Sequence, residues 1–512
     1  MTEDLRALAD DAIASSRAGE DPDYPLVHVA PPVGRLNDPN GLLVDAGTYH
    51  AFYQFTPLHG TRRLVYWGHS SSTDLLHWRH RGLAVVPDSP YDASGAYSGS
   101  ALVLTGAEAG AAPARAPYQL FYTGNLKDPV TDERTASQCL VTSADLDDFA
   151  KWPANPLIAD HAPGYTAHYR DPQVSRDPER PGAYRMFIGA QRADETGAAV
   201  LYRSRDLLTW DLAGEITFPD AGGALDDFGF MWECPGLVTL TDEVTGLERD
   251  VLIWCPQGAR PAGAEGYENV FPCVYAVGRL VGTELRECDG TVREVDRGFE
   301  FYAPQAFARR PGEPGPVLLT GWAGNAGEDD QPSIATGGWV HALTAARALS
   351  LRDGRLIQRP APALPDSAPA LGATGSRPAG AARLGELDGH RSWHLVMDIE
   401  ELGEGAWVGL RIGDDSCFVS LCLRRTDAGP QLVVDRSASR YARHGARRTV
   451  GVPAAAARRL EILHDRSITE IFVGDGDLAF TLRSFVAPDS TGAVLVADGP
   501  VRLGPVAAVH FD

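Results

Sequence analysis

The chain has 512 residues, 44% of them hydrophobic and 22% charged, and a formal net charge of −22. That acidity excludes a nucleic-acid binder or a protein held on an anionic membrane, since either needs a basic face. No apolar run reaches the roughly 18–20 residues of a membrane span. The length exceeds one ordinary core, so two domains are expected.

Residues 1–25 open the chain. Leu5, Leu8, Ala9 and Ile13 fall at helical spacing and predict a short amphipathic helix over 3–17 with a packing role. The first residues lack a basic stretch followed by an apolar core, so no secretory signal is read there. Seven cysteines (Cys139, Cys234, Cys255, Cys273, Cys288, Cys417 and Cys422) are scattered without any Cys-x-x-Cys pair. That pattern suggests neither a zinc site nor a disulfide framework, and free thiols in a reducing cytoplasm are expected.

Residues 26–360 carry a hidden repeat. Alternating strand-like runs begin at Tyr49, Tyr118 and Tyr184, at nearly constant spacing. A second element follows: Ser72-Thr-Asp-Leu-Leu-His-Trp78 is matched by Ser204-Arg-Asp-Leu-Leu-Thr-Trp210, with a looser copy at Ser143-Ala-Asp-Leu and Trp152 downstream. Two weaker units run from Trp232 to Val277 and from Phe301 to Leu356. About four strands per unit, punctuated by Gly, Pro, Asp and Asn, predict an all-β, five-bladed β-propeller, with a large β-sandwich as the competing architecture.

Residues 361–384, rich in Ala, Pro, Gly and Ser, read as a linker. Residues 385–512 return to alternating runs such as Trp393–Met397, Trp407–Arg411 and Ile468–Val473, which predict a C-terminal β-sandwich. Within it, Gly474-Asp-Gly476 reads as a turn and His464–Ser467 as structural.

The repeat singles out three acids. Asp38, in Asn37-Asp38-Pro39-Asn40-Gly41, Asp171, in Arg170-Asp171-Pro172, and Glu233, in Trp232-Glu233-Cys234-Pro235, each precede the core run of a unit. At the entry of the first strand of blades one, three and four they would converge on one mouth of the central channel. Clustered carboxylates repel and raise one another's pKa, which is costly for structure alone. The same cluster suits glycoside hydrolysis with retention, which needs an ionised carboxylate and a protonated carboxyl about 5 Å apart. A third acid can hold sugar hydroxyls.

The motifs resemble those of glycoside hydrolase family 32, which holds invertases, fructanases and sucrose-6-phosphate hydrolases. The resemblance rests on Asn-Asp-Pro-Asn-Gly at 37–41, Phe-Tyr-Gln at 52–54, Trp-Gly-His at 67–69, Ser-Gly-Ser at 98–100 and Tyr-Thr-Gly-Asn at 122–125. It continues through Arg-Asp-Pro at 170–172, Trp-Glu-Cys-Pro at 232–235, Phe-Tyr-Ala-Pro-Gln at 301–305 and the segment Asp465–Val473. It implies a propeller joined to a sandwich. It also implies Asp38 as nucleophile, Glu233 as acid/base and Asp171 as a transition-state stabiliser oriented with Arg170. By the same resemblance Asn37, Asn40, Gln54, Trp67, Tyr97 and Ser98 would line the fructosyl pocket, and Trp322 would add an aromatic wall.

Arg35 stands where the family usually has an aromatic residue, Gly236 where an acidic one is common, and Thr56-Pro57 where Asn-Pro often follows. These departures bear on the leaving group. The expected substrate is a small fructoside: sucrose, sucrose 6-phosphate with Arg35, Arg62 and Arg63 as phosphate ligands, or short fructans. A sugar-binding propeller without catalysis is the remote alternative. The chemistry calls for no metal or organic cofactor, and oligomeric state is not readable from the sequence.

Overall fold

The computed structural model describes residues 4–259, 269, 271–362, 368–369, 375–377 and 379–511. Helix Leu5–Ala14 is shorter than the expected 3–17. It is capped by the Asp4 carboxylate accepting from Ala7 N (3.1 Å). Its apolar face joins the core of blade one, where the Tyr66 hydroxyl donates to Leu5 O (3.2 Å).

Five antiparallel sheets follow in chain order, each numbered here as a blade. Their inner strands are Gly34–Asp45, Ala96–Val103, Tyr165–Arg176, Met231–Thr241 and Tyr302–Ala306. These strands contact one another in cyclic order, and the fifth meets the first. The ring is closed by the short strand Trp339–Val340, which leaves blade five to pair in parallel with Gly34 and Arg35 of blade one. The architecture is the expected five-bladed propeller followed by a sandwich.

The recurring Ser-x-Asp-Leu element has a physical basis. In all three copies the Ser hydroxyl oxygen accepts from the Leu N–H (Ser72–Leu75, Ser143–Leu146 and Ser204–Leu207, each 2.9 Å). The Asp carboxylate accepts from the next two N–H groups, as Asp74 does from Leu76 and His77. Each Leu sits in the left-handed region, at φ 65°, 64° and 66°. That conformation costs an L-residue about 1–2 kcal/mol, offset by the bonded turn and by a buried Leu side chain. Trp78 and Trp210 seal the turn by donating to the Leu carbonyl. In the middle copy the corresponding residue is Phe149, not Trp152; its ring packs against Phe52 and His69.

The C-terminal domain is a seven-stranded and a six-stranded sheet enclosing a core that includes Trp393, Leu421, Ile462 and Phe480. Within the stretch expected to be a linker, 361–384, Ala368–Pro369 and Gly375–Arg377 pair with Val501–His510, and Gly380–Arg383 pairs with Ala493–Asp498. Residues 363–367, 370–374 and 378 of that stretch lie outside the described residues.

Several polar contacts bind sandwich to propeller, among them one buried network and one exposed one. In the buried one, Arg347 of blade five donates to Glu470 (2.6 Å) and Asp296 (2.9 Å), and His28 bridges Asp465 (2.8 Å) and Glu470 (3.1 Å). All five side chains are fully buried. In the exposed one, the turn Gly474–Gly476 docks on blade five: Asp475 accepts from Arg352 and Arg359, and Gly476 O accepts from Gln358 N.

Candidate active site

Every inner strand carries a β-bulge within one residue of a common level, at residues 37–38, 97–98, 171–172, 234–235 and 303–304. The sequence provides for it. Four strands have Xaa-Pro in or directly after it (Asp38-Pro39, Asp171-Pro172, Cys234-Pro235 and Ala303-Pro304), and the fifth has Ser98-Gly99. Proline has no N–H to give the ladder, so it is tolerated at a bulge. The bulge re-aims the side chains beside it. Asp171, Cys234 and Ala303 take positive φ there (68°, 49° and 46°).

Aligned on the Xaa-Pro and Ser-Gly pairs, the channel-facing residues stack in two rings. Asp38, Ser98, Asp171, Cys234 and Ala303 form the lower ring. Asn37, Tyr97, Arg170, Glu233 and Tyr302 form the upper one. The three acids are therefore not at strictly equivalent positions: Glu233 stands one residue earlier than Asp38 and Asp171, and its equivalent in blade three is Arg170. The hydrogen bonds follow the rings. In the lower ring Ser98 Oγ donates to Asp38 Oδ2, and Cys234 N donates to Asp171 Oδ2 (2.9 Å). In the upper ring Glu233 accepts from Arg170 Nη2 (2.7 Å) and from the Tyr302 hydroxyl (2.6 Å).

The acids meet different surroundings. Asp38 also accepts from Asn37 Nδ2 (3.2 Å) and Gln54 Nε2 (3.1 Å), and Gln54 donates in addition to Ser98. Burial and the Glu233 charge raise its pKa, while the bonds from Ser98 and Asn37 pull it back. Burial, with the Glu233 and Asp38 charges and against Arg170, pushes Asp171 up to about 7. Glu233 takes a third bond, from Gln257 Nε2 (2.7 Å). Burial and the nearby Glu233 charge drive the Tyr302 phenol far above its usual range, so it remains a donor.

The rings floor an open cavity of about 340 Å³ lined by Asn37, Asp38, Gln54, Tyr97, Arg170, Asp171, Glu233 and Trp322 among the expected residues. Ser98 lies at the floor, beside Cys234 and Gln305. Asn40 and Trp67, expected to line the pocket, are instead fully buried beneath it. Trp67 Nε1 donates to Tyr97 O (2.9 Å) and so holds the bulge of blade two. The Asn40 amide, oriented with its oxygen toward Gln54 N (3.0 Å), braces the strand that presents Gln54. Trp322 is 2% exposed and packs edge-on against Tyr302 and His341.

Sequence reasoning passed over Gln257, Tyr302, His168, Arg134 and Cys234. The Xaa-Pro register would have found two of them, since Tyr302 and Cys234 occupy the ring positions of Arg170 and Asp171. Gln257, at the end of strand Glu248–Gln257, has no counterpart in the repeat. The departure at Gly236 has a local cause. A Cβ there would come within 3.0 Å of Gln173 Nε2, and the Gln173 oxygen accepts from Leu237 N (2.8 Å). The Gln173 side chain, reaching across from blade three, occupies the space that a residue at 236 would need.

Residues 28–360 match the glycosyl hydrolases family 32 N-terminal domain, and residues 403–510 match the family 32 C-terminal domain. The sucrose-6-phosphate hydrolase of Klebsiella pneumoniae is 38% identical over 472 residues, covering 91% of this chain and 89% of the relative. That of Salmonella typhimurium is 41% identical over 347 residues, covering 67% and 68%. Among solved structures, the sucrose-6-phosphate hydrolase from Lactobacillus gasseri superposes with a TM-score of 0.80 at 27% identity, covering 100% of this chain and 97% of the other. A Bombyx mori β-fructofuranosidase in complex with sucrose gives 0.78 at 26%, covering 99% and 98%. With both domains matched in order and the acid-lined channel in place, the chain is a glycoside hydrolase and belongs to family 32.

Proposed function

We propose that the protein hydrolyses the β-fructofuranosyl bond of sucrose 6-phosphate, and of sucrose, with retention of configuration. The observation that carries this reading is the pair Asp38 and Glu233 on successive rings in unlike surroundings. Asp38, on the floor, has three neutral donors that favour its ionised form. Glu233, on the wall, meets donors from three blades.

In the first step an Asp38 carboxylate oxygen attacks the anomeric carbon and the glycosidic C–O bond breaks. Protonated Glu233 gives its proton to the departing oxygen, leaving a fructosyl ester on Asp38 and a free sugar. In the second step Glu233 takes a proton from water, the hydroxide oxygen bonds to the anomeric carbon, and Asp38 leaves as carboxylate. The step must begin with a proton in the cluster, and the raised pKa of Asp171, about 7, supplies the means of retaining one near neutrality. Asp171 and Arg170 hold fructosyl hydroxyls, and Tyr302 and Gln257 keep Glu233 pointed at the bond.

Sucrose 6-phosphate is favoured by the similarity to the sucrose-6-phosphate hydrolases of Klebsiella pneumoniae and Salmonella typhimurium and by the basic residue Arg35 on the cavity wall. A cytoplasmic location belongs to the same reading, supported by seven free cysteines. Among the described residues no helix is long and apolar enough to cross a membrane. Following the anomer first released, and comparing turnover of the two substrates, tests the proposal. We expect β-fructose first and a preference for the phosphorylated substrate. Release of the α anomer, or turnover retained in Glu233→Gln instead of falling about 10²–10⁴-fold, would overturn it.

A further inference from the structure

The cavity wall that continues from Glu233 toward the rim is built of blade-five and blade-one residues. Tyr302 donates to Glu233, Trp322 packs against Tyr302, and the Arg35 guanidinium lies over the Trp322 ring, 5.2 Å from its centroid. On the opposite side Arg170 occupies Glu233 Oε1. The Tyr302–Trp322–Arg35 wall offers a leaving-group sugar protonated by Glu233 an aromatic surface that ends on a guanidinium.

The charge on that wall is unbalanced. Asp329 faces three basic side chains at once: Arg35 Nε (3.2 Å), Arg63 Nη2 (3.1 Å) and His59 Nε2 (3.7 Å). One carboxylate, Asp329, pairs with both guanidiniums, and Asp38, the other acid that acts on Arg35, belongs to the catalytic cluster. Arg35 is held in an ion pair but has no aligned hydrogen bond, and its buried Nε is unsatisfied. Burial works against its charge, and Asp329 and Asp38 hold it charged. A buried guanidinium short of acceptors beside an open cavity is a site waiting for an anion with several oxygens.

We propose that Arg35 and Arg63, steadied by Asp329, bind the phosphomonoester of a hexose 6-phosphate leaving group. This rests on the fructosyl-hydrolase reading above and assigns the residues that recognise the phosphate. Arg35 supplies the buried contact and fixes the reach of the subsite. Arg63, whose side chain is 73% exposed and pairs with the same Asp329, supplies the outer contact. Asp329 keeps the two guanidiniums together while the site is empty and tempers their charge. The other arginine of the cavity rim, Arg134, lies over the Tyr97 ring of blade two (5.8 Å), across the lining from the blade-five wall.

The test is the ratio of kcat/KM for sucrose 6-phosphate to that for sucrose, in wild type, Arg63→Ala, Arg35→Gln and Arg134→Ala. A charge-assisted contact predicts a fall in the ratio of about 10-fold for Arg63→Ala and up to about 100-fold for Arg35→Gln, carried by KM. Arg134→Ala should leave the ratio near the wild-type value. Arg63→Ala keeps the test available should Arg35→Gln not fold. Glucose 6-phosphate should inhibit the wild type competitively and lose its grip in Arg63→Ala. If the wild type hydrolyses both substrates with no preference, the substrate reading fails. If it prefers the phosphorylated substrate but only Arg134→Ala removes the preference, the reading stands and this assignment falls.

Discussion

Two buried charge clusters in this molecule have been handled in opposite ways. At the seam between the domains, Arg347 and His28 meet Asp296, Glu470 and Asp465, and backbone N–H groups of Leu26 and Val27 add to the donors on Asp465. The carboxylates of Asp465 and Glu470 are held below their ordinary range, against burial, by His28 and Arg347. In the channel, the three carboxylates have one hydrogen-bonded guanidinium among them, Arg170 on Glu233, with Arg35 a weaker influence on Asp38, and Asp38 and Asp171 are raised instead. The seam is a satisfied network and contributes stability. The channel is a frustrated one, with a proton available near neutral pH and a carboxylate under pressure to react. Burial is common to both; the supply of cations decides which outcome follows.

The largest effect expected from breaking this contrast is in the channel. Asp38→Asn should reduce turnover by roughly four orders of magnitude or more. It should not lower the unfolding midpoint, because it removes a charge that burial disfavours. Thermal unfolding alongside initial rates checks both halves; a large loss of stability would show that Asp38 is a structural anchor.

At the seam the expectation is reversed. Glu470→Gln or Arg347→Met leaves buried partners uncompensated and should cost about 3–5 kcal/mol in urea unfolding. The protein that remains folded should keep its kcat. A cost below about 1 kcal/mol would mean that the network contributes little to domain docking.

The pH dependence separates the clusters by sign. His28 is raised to about 9 by Asp465 and Glu470 in spite of burial, so its contribution is complete below its ordinary 6.5 and is lost as pH rises through about 9. Asp465 and Glu470 are depressed, so their contribution is present above their ordinary 3.8 and 4.5 and is lost as pH falls. Asp171, raised to about 7, costs stability as pH climbs from its ordinary 3.8 toward 7. Stability measured across pH should therefore lose its alkaline decline in His28→Gln. In Asp171→Asn it should lose the decline between about 4 and 7. An unchanged profile in both variants would remove these groups from the account.

Much of this was legible in the sequence because β-structure writes its period into the chain. The runs at Tyr49, Tyr118 and Tyr184 and the Ser-x-Asp-Leu turns exposed the blades, and the acids ahead of the core runs exposed the channel. What sequence spacing could not convey was the level of each side chain in the channel. A bulge shifts residues between rings without changing their count, so Glu233 read as an equivalent of Asp171 when it is the equivalent of Arg170. Trp67 read as a pocket wall because an aromatic beside a motif looks the same whether it faces the cavity or lies one layer below. The segment 361–384 read as a linker because Ala, Gly and Pro conceal edge strands whose partners, Ala493–Asp498 and Val501–His510, lie more than a hundred residues away. Gln257 joins the site purely by fold.

The smallest effect expected lies where the two regions touch. Asp330, next to Asp329 in the chain, pairs with Arg443 of the sandwich and accepts from the Tyr441 hydroxyl (3.4 Å). The sandwich thereby holds the blade-five loop whose preceding residue pairs with Arg63 and with Arg35 on the cavity wall. The Asp330 and Arg443 side chains are 38% and 67% exposed, so the pair is worth no more than about 1 kcal/mol. Asp330→Asn should then raise KM a few-fold at most, with kcat held, because the chemistry at Asp38 and Glu233 is built from propeller strands alone. The same rise should appear in Arg443→Ala, and the double variant should show no further increase, since both changes release the same tether. Additive effects, or a fall in kcat, would mean that the sandwich reaches the reacting groups by another route.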